Sequence, residues 1–223
     1  QVGCELIGAS DVRDDIELAL LAVKSLSDAG AKNLSIDLTV PSLIDIILKA
    51  GKVDDSLKEK IDHYLQKRDR DGLAGVKHKA TSYLVDLLDC SGLAKEAMEG
   101  LKKVKLPKEA KAALKNLSDM YEGLLKALAV YDLKDVKITI DLIERRGFDY
   151  KNDIGFTLFS PHVRGELGQG GRYNLSDKDG EEATGFTLYM DSVRQAVHLV
   201  HDEKRKDVKA NASWEEIKEL QDQ

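Results

Sequence analysis

Two arginine-bearing segments hold the densest chemistry in this sequence. The first is Arg145-Arg146-Gly147-Phe148-Asp149-Tyr150 and the second is Gly170-Gly171-Arg172-Tyr173. A guanidinium presents a rigid fork of donors suited to phosphate or carboxylate, and glycines let backbone N–H groups approach such an anion. No Gly-Lys-Ser or Gly-Lys-Thr follows, so the pattern is not a P-loop. The ordinary alternative is a tight hairpin with surface arginines. Gln1 and Glu5 add an amide and a carboxylate. Four apart on an expected strand, they share a face and together suit a cationic or amine-bearing ligand; the alternative is a solvent-facing edge pair.

Other polar groups offer less. His198 and His201 lie one helical turn apart beside Asp202, the minimum for a metal site, but a surface helix end is the simpler reading, and no metal is expected. His63, His78 and His162 have no partner in sequence, and no GxSxG element is present. Cys4 and Cys90 form no CxxC pair and no disulfide framework, which fits a reducing compartment; both read as buried small hydrophobes. Seven lysines and three glutamates fall between residues 95 and 115. Such a run suits nucleic acid or an acidic protein face, but without arginines or interleaved aromatics a solvated helix surface is the simpler reading.

The elements that must position these groups follow from hydrophobic periodicity. Residues 1–8 read as a strand, one that looks like the middle of a sheet. Asp11 is placed to cap a helix whose apolar positions Ile16, Leu20, Val23 and Leu26 run to a stop at Gly30. Leu34, Ile36 and Leu38 alternate with polar neighbours as a half-buried strand, and Pro41 opens a helix that ends at Gly51. From about 51 to 131 the pattern is helical, with stripes at Leu57–Ile61–Leu65, at Tyr83–Leu84–Leu87 and from Pro107 onward, and no strand is placed there. Strands return at 135–142, 154–160 and 183–188, with 165–173 as a polar glycine-rich segment. The last strand feeds a helix bearing Met190, Val193, Val197 and Val200. Ser213 and Glu216 form a capping box for a short final helix.

This order predicts an α+β fold with a mixed or antiparallel sheet. Its parts would be a core segment over 1–50, a helical insertion over 51–131, and the remainder of the core with a tail over 132–223. Composition agrees: 223 residues with 42% apolar and 33% charged residues exclude a disordered chain. The net charge of -6 weighs against broad binding to nucleic acid or anionic membranes. No apolar run approaches the ~18 residues of a membrane span, and no signal-peptide pattern appears, so a cytoplasmic location is expected.

Three stretches carry a family resemblance. Gln1-Val2-Gly3-Cys4-Glu5-Leu6-Ile7-Gly8 resembles the strand that ends motif 2 of histidyl-tRNA synthetase. Arg146-Gly147-Phe148-Asp149-Tyr150 and Gly170-Gly171-Arg172-Tyr173 resemble its two histidine-specific segments. The chain thus resembles that enzyme's catalytic domain and, more closely, its paralogues, the regulatory subunits of ATP phosphoribosyltransferase. The resemblance implies a class II aminoacyl-tRNA synthetase-like antiparallel sheet flanked by helices. It also implies a histidine-pocket-like site at Gln1, Glu5, Arg146, Tyr150, Lys151 and Tyr173, beside the glycine-rich Gly170, Gly171 and Arg172.

Departures from the family pattern shape what else is implied. Lys151 stands where the enzyme has a second tyrosine, and Asn152-Asp153 replaces its Thr-Gly. The family's third motif, Gly-Phe-Ala-Leu-Gly-Leu-Glu-Arg, is here Gly185-Phe186-Thr187-Leu188-Tyr189-Met190-Asp191-Ser192. Ser192 therefore replaces the arginine that clamps ATP, and Tyr189 replaces a glycine. The implied protein is non-catalytic and without a cofactor. Its implied partner is the short-form ATP phosphoribosyltransferase catalytic subunit, with a homodimer inside a hetero-oligomer and histidine as a ligand. Rival readings are a degenerate synthetase-like enzyme, a module binding tRNA, or a stand-alone histidine sensor. Motif 1 and the first strand and arginine of motif 2 are expected upstream of Gln1, and, as is characteristic of the paralogue, no anticodon-binding domain is expected.

Overall fold

A computed structural model describes residues 1–144, 151–175, 181–197 and 213, with the backbone alone for 151–153. A seven-stranded sheet organises it, in the order β1-β7-β6-β5-β2-β4-β3. The strands are β1 (Val2–Ile7), β2 (Ser35–Thr39), β3 (Gly92–Leu93), β4 (Lys137–Ile140), β5 (Lys151–Phe159), β6 (Gly168–Asn174) and β7 (Glu182–Leu188). All neighbouring pairs are antiparallel except β2 with β4, which run parallel. The mixed sheet expected from sequence is the sheet observed.

Two helices back the strands that matter for function. α1 (Val12–Asp28) starts where the sequence places it: the Asp11 side chain accepts from the Arg13 N–H, and Asp14 closes the capping box. α1 packs on β5, β6 and β7 and against the long α7 (Lys111–Val130), which also touches β5. The reason is periodicity. Leu18, Ala19, Ala22, Val23 and Leu26 form one buried stripe, and it meets the inward residues Phe156, Leu158, Phe186 and Leu188 of the sheet.

The block expected to be helical is helical over α3 (Asp55–Gln66), α4 (Arg70–Ala74), α5 (Lys79–Asp89), α6 (Ala94–Leu101) and α7, after α2 (Ser42–Ala50). It holds one strand that periodicity missed. β3 is two residues long and pairs with β4 through Gly92↔Ile140 and Leu93↔Thr139, too short for an alternation signal to register. Ile61, Leu65, Leu84, Leu117 and Leu124 join the same buried cluster as the sheet residues.

Three further expectations are corrected. β1 is an edge strand pairing with β7 alone, and Val2, Leu6 and Ile7 are 56%, 37% and 62% exposed. Its apolar residues read as mid-sheet because composition does not distinguish an edge from a centre. Cys4 is consequently exposed, whereas Cys90 is buried as expected; both are free. The polar glycine-rich segment, not read as a strand from sequence, is for the most part the extended strand β6, held on both sides by β5 and β7. Its glycines depress strand propensity, and cross-strand pairing overrides that.

The final described helix, α8 (Met190–Ala196), buries Val193. Val200, the His198–His201 pair and Glu216 of the capping box lie outside the described residues. Among the described residues, no helix is long and apolar enough to cross a membrane.

Candidate functional site

Strand alternation sorts the residues of β6 and β7 onto two faces. Gly168, Gly170 and Arg172 turn toward α1 and the core, whereas Gln169, Gly171 and Tyr173 turn to the open side. Across the open side Gly185, Gly171 and Gly155 align in one row over β7, β6 and β5. Glu5 ends this row at β1, and Thr39 continues it on β2. The row is a trough floored by backbone alone. A Cβ at Gly185 would fall 2.8 Å from the Cys4 carbonyl oxygen and 3.0 Å from Glu5 Cγ. Gly171 has φ 149°, a value side-chain-bearing residues rarely adopt.

A cavity of about 240 Å³ opens over this trough, lined by Glu5, Gln169, Gly170, Gly171, Tyr173, Gly185, Phe186 and Thr187. That is room for a molecule the size of an amino acid, below the usual range for drug-sized ligands. The Tyr173 hydroxyl donates to Glu5 Oε2. One wall is thus a carboxylate oriented by a phenol, a natural counterpart to an ammonium or a ring N–H.

The sequence-derived site residues divide on this map. Glu5, Gly170, Gly171 and Tyr173 come together. Gln1 precedes β1, is exposed and does not line the cavity. Lys151 places its backbone opposite Tyr173, ahead of a register irregularity that ends at Gly155. Arg146 and Tyr150 lie outside the described residues.

Arg172 does not face the trough. Its guanidinium is buried and committed: Nε and Nη2 donate to Asp15 Oδ2 at 3.2 and 2.9 Å, and Nη1 donates to the Ala9 carbonyl at 2.6 Å and to Glu182 Oε2 at 3.0 Å. A further bond from Nη2 reaches the Asp11 carbonyl at 2.7 Å. Burial pulls the Arg172 pKa down, but the bonds to Asp15 and Glu182 outweigh it, and the group stays charged. The expected anion-facing arginine of this segment is therefore a structural one. The sequence carried the clue: in a strand, Arg172 must oppose Tyr173, and both cannot line one pocket.

Gln169 and Thr187 line the cavity and were not singled out by sequence. Gln169 is two residues from Gly171 and four from Tyr173, so period-two alternation puts it on the same face. Thr187 stands where the family's third motif has alanine.

A second cavity, about 370 Å³, lies on the same open face where the helical block meets the sheet. Asp37, Arg68, Ser91, Gly92, Thr139, Ile140, Asp141 and Phe159 line it. Arg68 pairs with Asp141 and lies 3.7 Å from Glu144. Asp37 Oδ1 accepts from Thr139 Oγ1 at 2.6 Å. Burial, reinforced by Asp141 and partly offset by that bond, pushes the Asp37 pKa up to about 6. No group of three His, Cys, Asp or Glu side chains fit to hold a metal occurs among the described residues.

A largely antiparallel sheet whose open face carries an amino-acid-sized pocket, with long helices packed behind it, defines a class II aminoacyl-tRNA synthetase-like fold. Solved structures agree. A regulatory subunit/histidyl-tRNA synthetase from Bacillus halodurans superposes with a TM-score of 0.73 at 21% identity, over 88% of this chain and 52% of that one. An ATP phosphoribosyl transferase complex from Thermotoga maritima gives 0.68 at 18% identity, over 84% and 65%.

The histidyl-tRNA synthetase family model matches residues 1–193, and the chain belongs to that family. It is similar to proteins named ATP phosphoribosyltransferase regulatory subunit. The match is 40% identical over 197 residues in Rhodospirillum centenum and 36% over 201 residues in Paramagnetospirillum magneticum. Each match covers 88% of this chain, and the chain spans about half the length of these relatives.

Proposed function

We propose that this chain is the synthetase-like part of a non-catalytic regulatory subunit of ATP phosphoribosyltransferase. The catalytic partner, of the short form, joins ATP to phosphoribosyl pyrophosphate in the first step of histidine biosynthesis. This protein assembles with it in the cytoplasm as a homodimer within a hetero-oligomer. The observation that carries the reading is the 40% identity to a relative bearing the regulatory-subunit name.

The local chemistry supports it. Amino-acid activation needs a cation where pyrophosphate departs. At the third-motif arginine position Ser192 supplies none, and Tyr189 fills a place the family leaves to glycine. The pocket floor is nevertheless kept, with Glu5 and Tyr173 in contact over the glycine trough. A pocket retained without the activating arginine suits sensing. Histidine held there would favour one assembly state, and the partner's activity would follow by linkage.

Co-purification tests the assembly. The full-length protein and the short catalytic chain, expressed together with a tag on one, should elute as one complex of fixed stoichiometry. Two separate species at micromolar concentration would overturn the reading.

A further inference from the structure

Two polar side chains line the pocket away from Glu5. Gln169 and Thr187 sit directly opposite each other on β6 and β7. Both are half-buried and both line the cavity together with Glu5 and Tyr173. Among the described residues neither side chain makes a hydrogen bond. They are set apart by position: both face the cavity, whereas several other hydroxyls of the sheet region are taken up within the protein. Thr39 donates to the Glu144 carbonyl, Thr139 to Asp37 and Ser160 to the Lys32 carbonyl.

An amide and a hydroxyl partly withdrawn from water gain when a partner completes them. Their position relative to Glu5 limits what that partner is. Two strand spacings and two residues of rise separate the Gln169 and Glu5 backbones, roughly 12 Å. With side chains converging from both ends, that leaves a gap an amino-acid-sized molecule spans. Glu5 takes the cationic or N–H end. Gln169 and Thr187 meet the other end, and each can both donate and accept.

We propose that Gln169 and Thr187 are specificity-determining residues of the Glu5–Tyr173 pocket, selecting a small amine whose far end exchanges hydrogen bonds with an amide and a hydroxyl and rejecting apolar isosteres. This rests on the reading of the pocket as a histidine site and deepens it. A site built to hydrogen-bond its ligand rejects the analogue lacking those groups, because its own polar atoms are then left unpaired.

Calorimetric titration of the full-length protein with L-histidine and with L-β-(2-thienyl)alanine, a ring isostere without ring nitrogens, tests this. The wild type should bind histidine at least tenfold tighter than the thienyl analogue. Gln169→Met and Thr187→Val keep volume and remove the polar groups. Each should weaken histidine by about three- to tenfold while leaving the analogue unchanged, so that the preference collapses. Thr187→Ser should retain it, showing that the hydroxyl and not the fit is read. Glu5→Gln should weaken both ligands together.

If the wild type binds histidine and the Met and Val variants keep both affinity and preference within twofold, the specificity roles are wrong and the histidine reading stands. If the wild type binds neither ligand, the histidine reading falls and these roles with it.

Discussion

Arg172 of β6 and Asp15 of α1 meet at 2.9 Å with 4% and 3% of their side chains exposed. The pair crosses from the site strand to the helix behind it, and three bonds to Ala9, Asp11 and Glu182 complete the guanidinium. Tyr173 is the next residue. With Arg172 pinned inward, strand geometry directs Tyr173 outward to Glu5, so the hidden pair aims the visible one.

Removing one member of such a pair leaves a buried charge uncompensated. Arg172→Met should lower unfolding free energy by about 3–5 kcal/mol in urea denaturation. Arg172→Met combined with Asp15→Leu should recover most of that. A single-variant loss below ~1 kcal/mol would show that the pair does not hold β6 to α1.

Much of this arrangement was legible in the sequence. The Asp11 cap and the alternation of β2 declared themselves because each depends on local spacing. Of the apolar positions read on α1, only Val23 and Leu26 belong to its buried stripe, Ile16 and Leu20 being half-buried. Glu5 and Tyr173 were found through motif resemblance, and the sheet brings them together. What stayed hidden was what sheet order alone decides. The exposure of β1 and the two-residue β3 depend on which strands become neighbours. Gln169 was readable by period-two counting from Tyr173, but only after its polar, glycine-rich surroundings are recognised as a strand.

Asp37 gives a pH signature. Its folded pKa, raised to about 6 first by burial and then by Asp141, lies above the unfolded value of 3.8. Between those values the folded state holds the proton that the unfolded state has lost. The Asp37 contribution to stability therefore falls as pH rises from about 4 to about 6 and levels off beyond, by up to about 3 kcal/mol. Asp37→Asn keeps an acceptor for Thr139 and removes the ionisation. The variant should match the wild type near pH 4 and exceed it at pH 7.5, and identical denaturation midpoints at both pH values would refute the assignment.

The pocket makes its own demand. Glu5→Ala removes the carboxylate that Tyr173 orients and should reduce histidine affinity by at least tenfold in calorimetry. Tyr173→Phe keeps the ring and frees the carboxylate, so its loss should be smaller, on the order of twofold to tenfold. A Glu5→Ala variant that binds histidine like the wild type would place the ligand elsewhere.

Nucleotide chemistry should be missing. With Ser192 and Tyr189 in the third motif, the full-length protein should give no histidine-dependent pyrophosphate–ATP exchange above a protein-free blank. Exchange at a rate within a hundredfold of an authentic histidyl-tRNA synthetase would restore the enzyme reading.

The most direct test of the regulatory role is turnover by the short ATP phosphoribosyltransferase chain, followed while the full-length form of this protein is titrated in. Phosphoribosyl-ATP formation should rise with added protein and saturate at a fixed subunit ratio, and histidine should then depress it. Equal turnover with and without this protein, across the titration, would contradict the account.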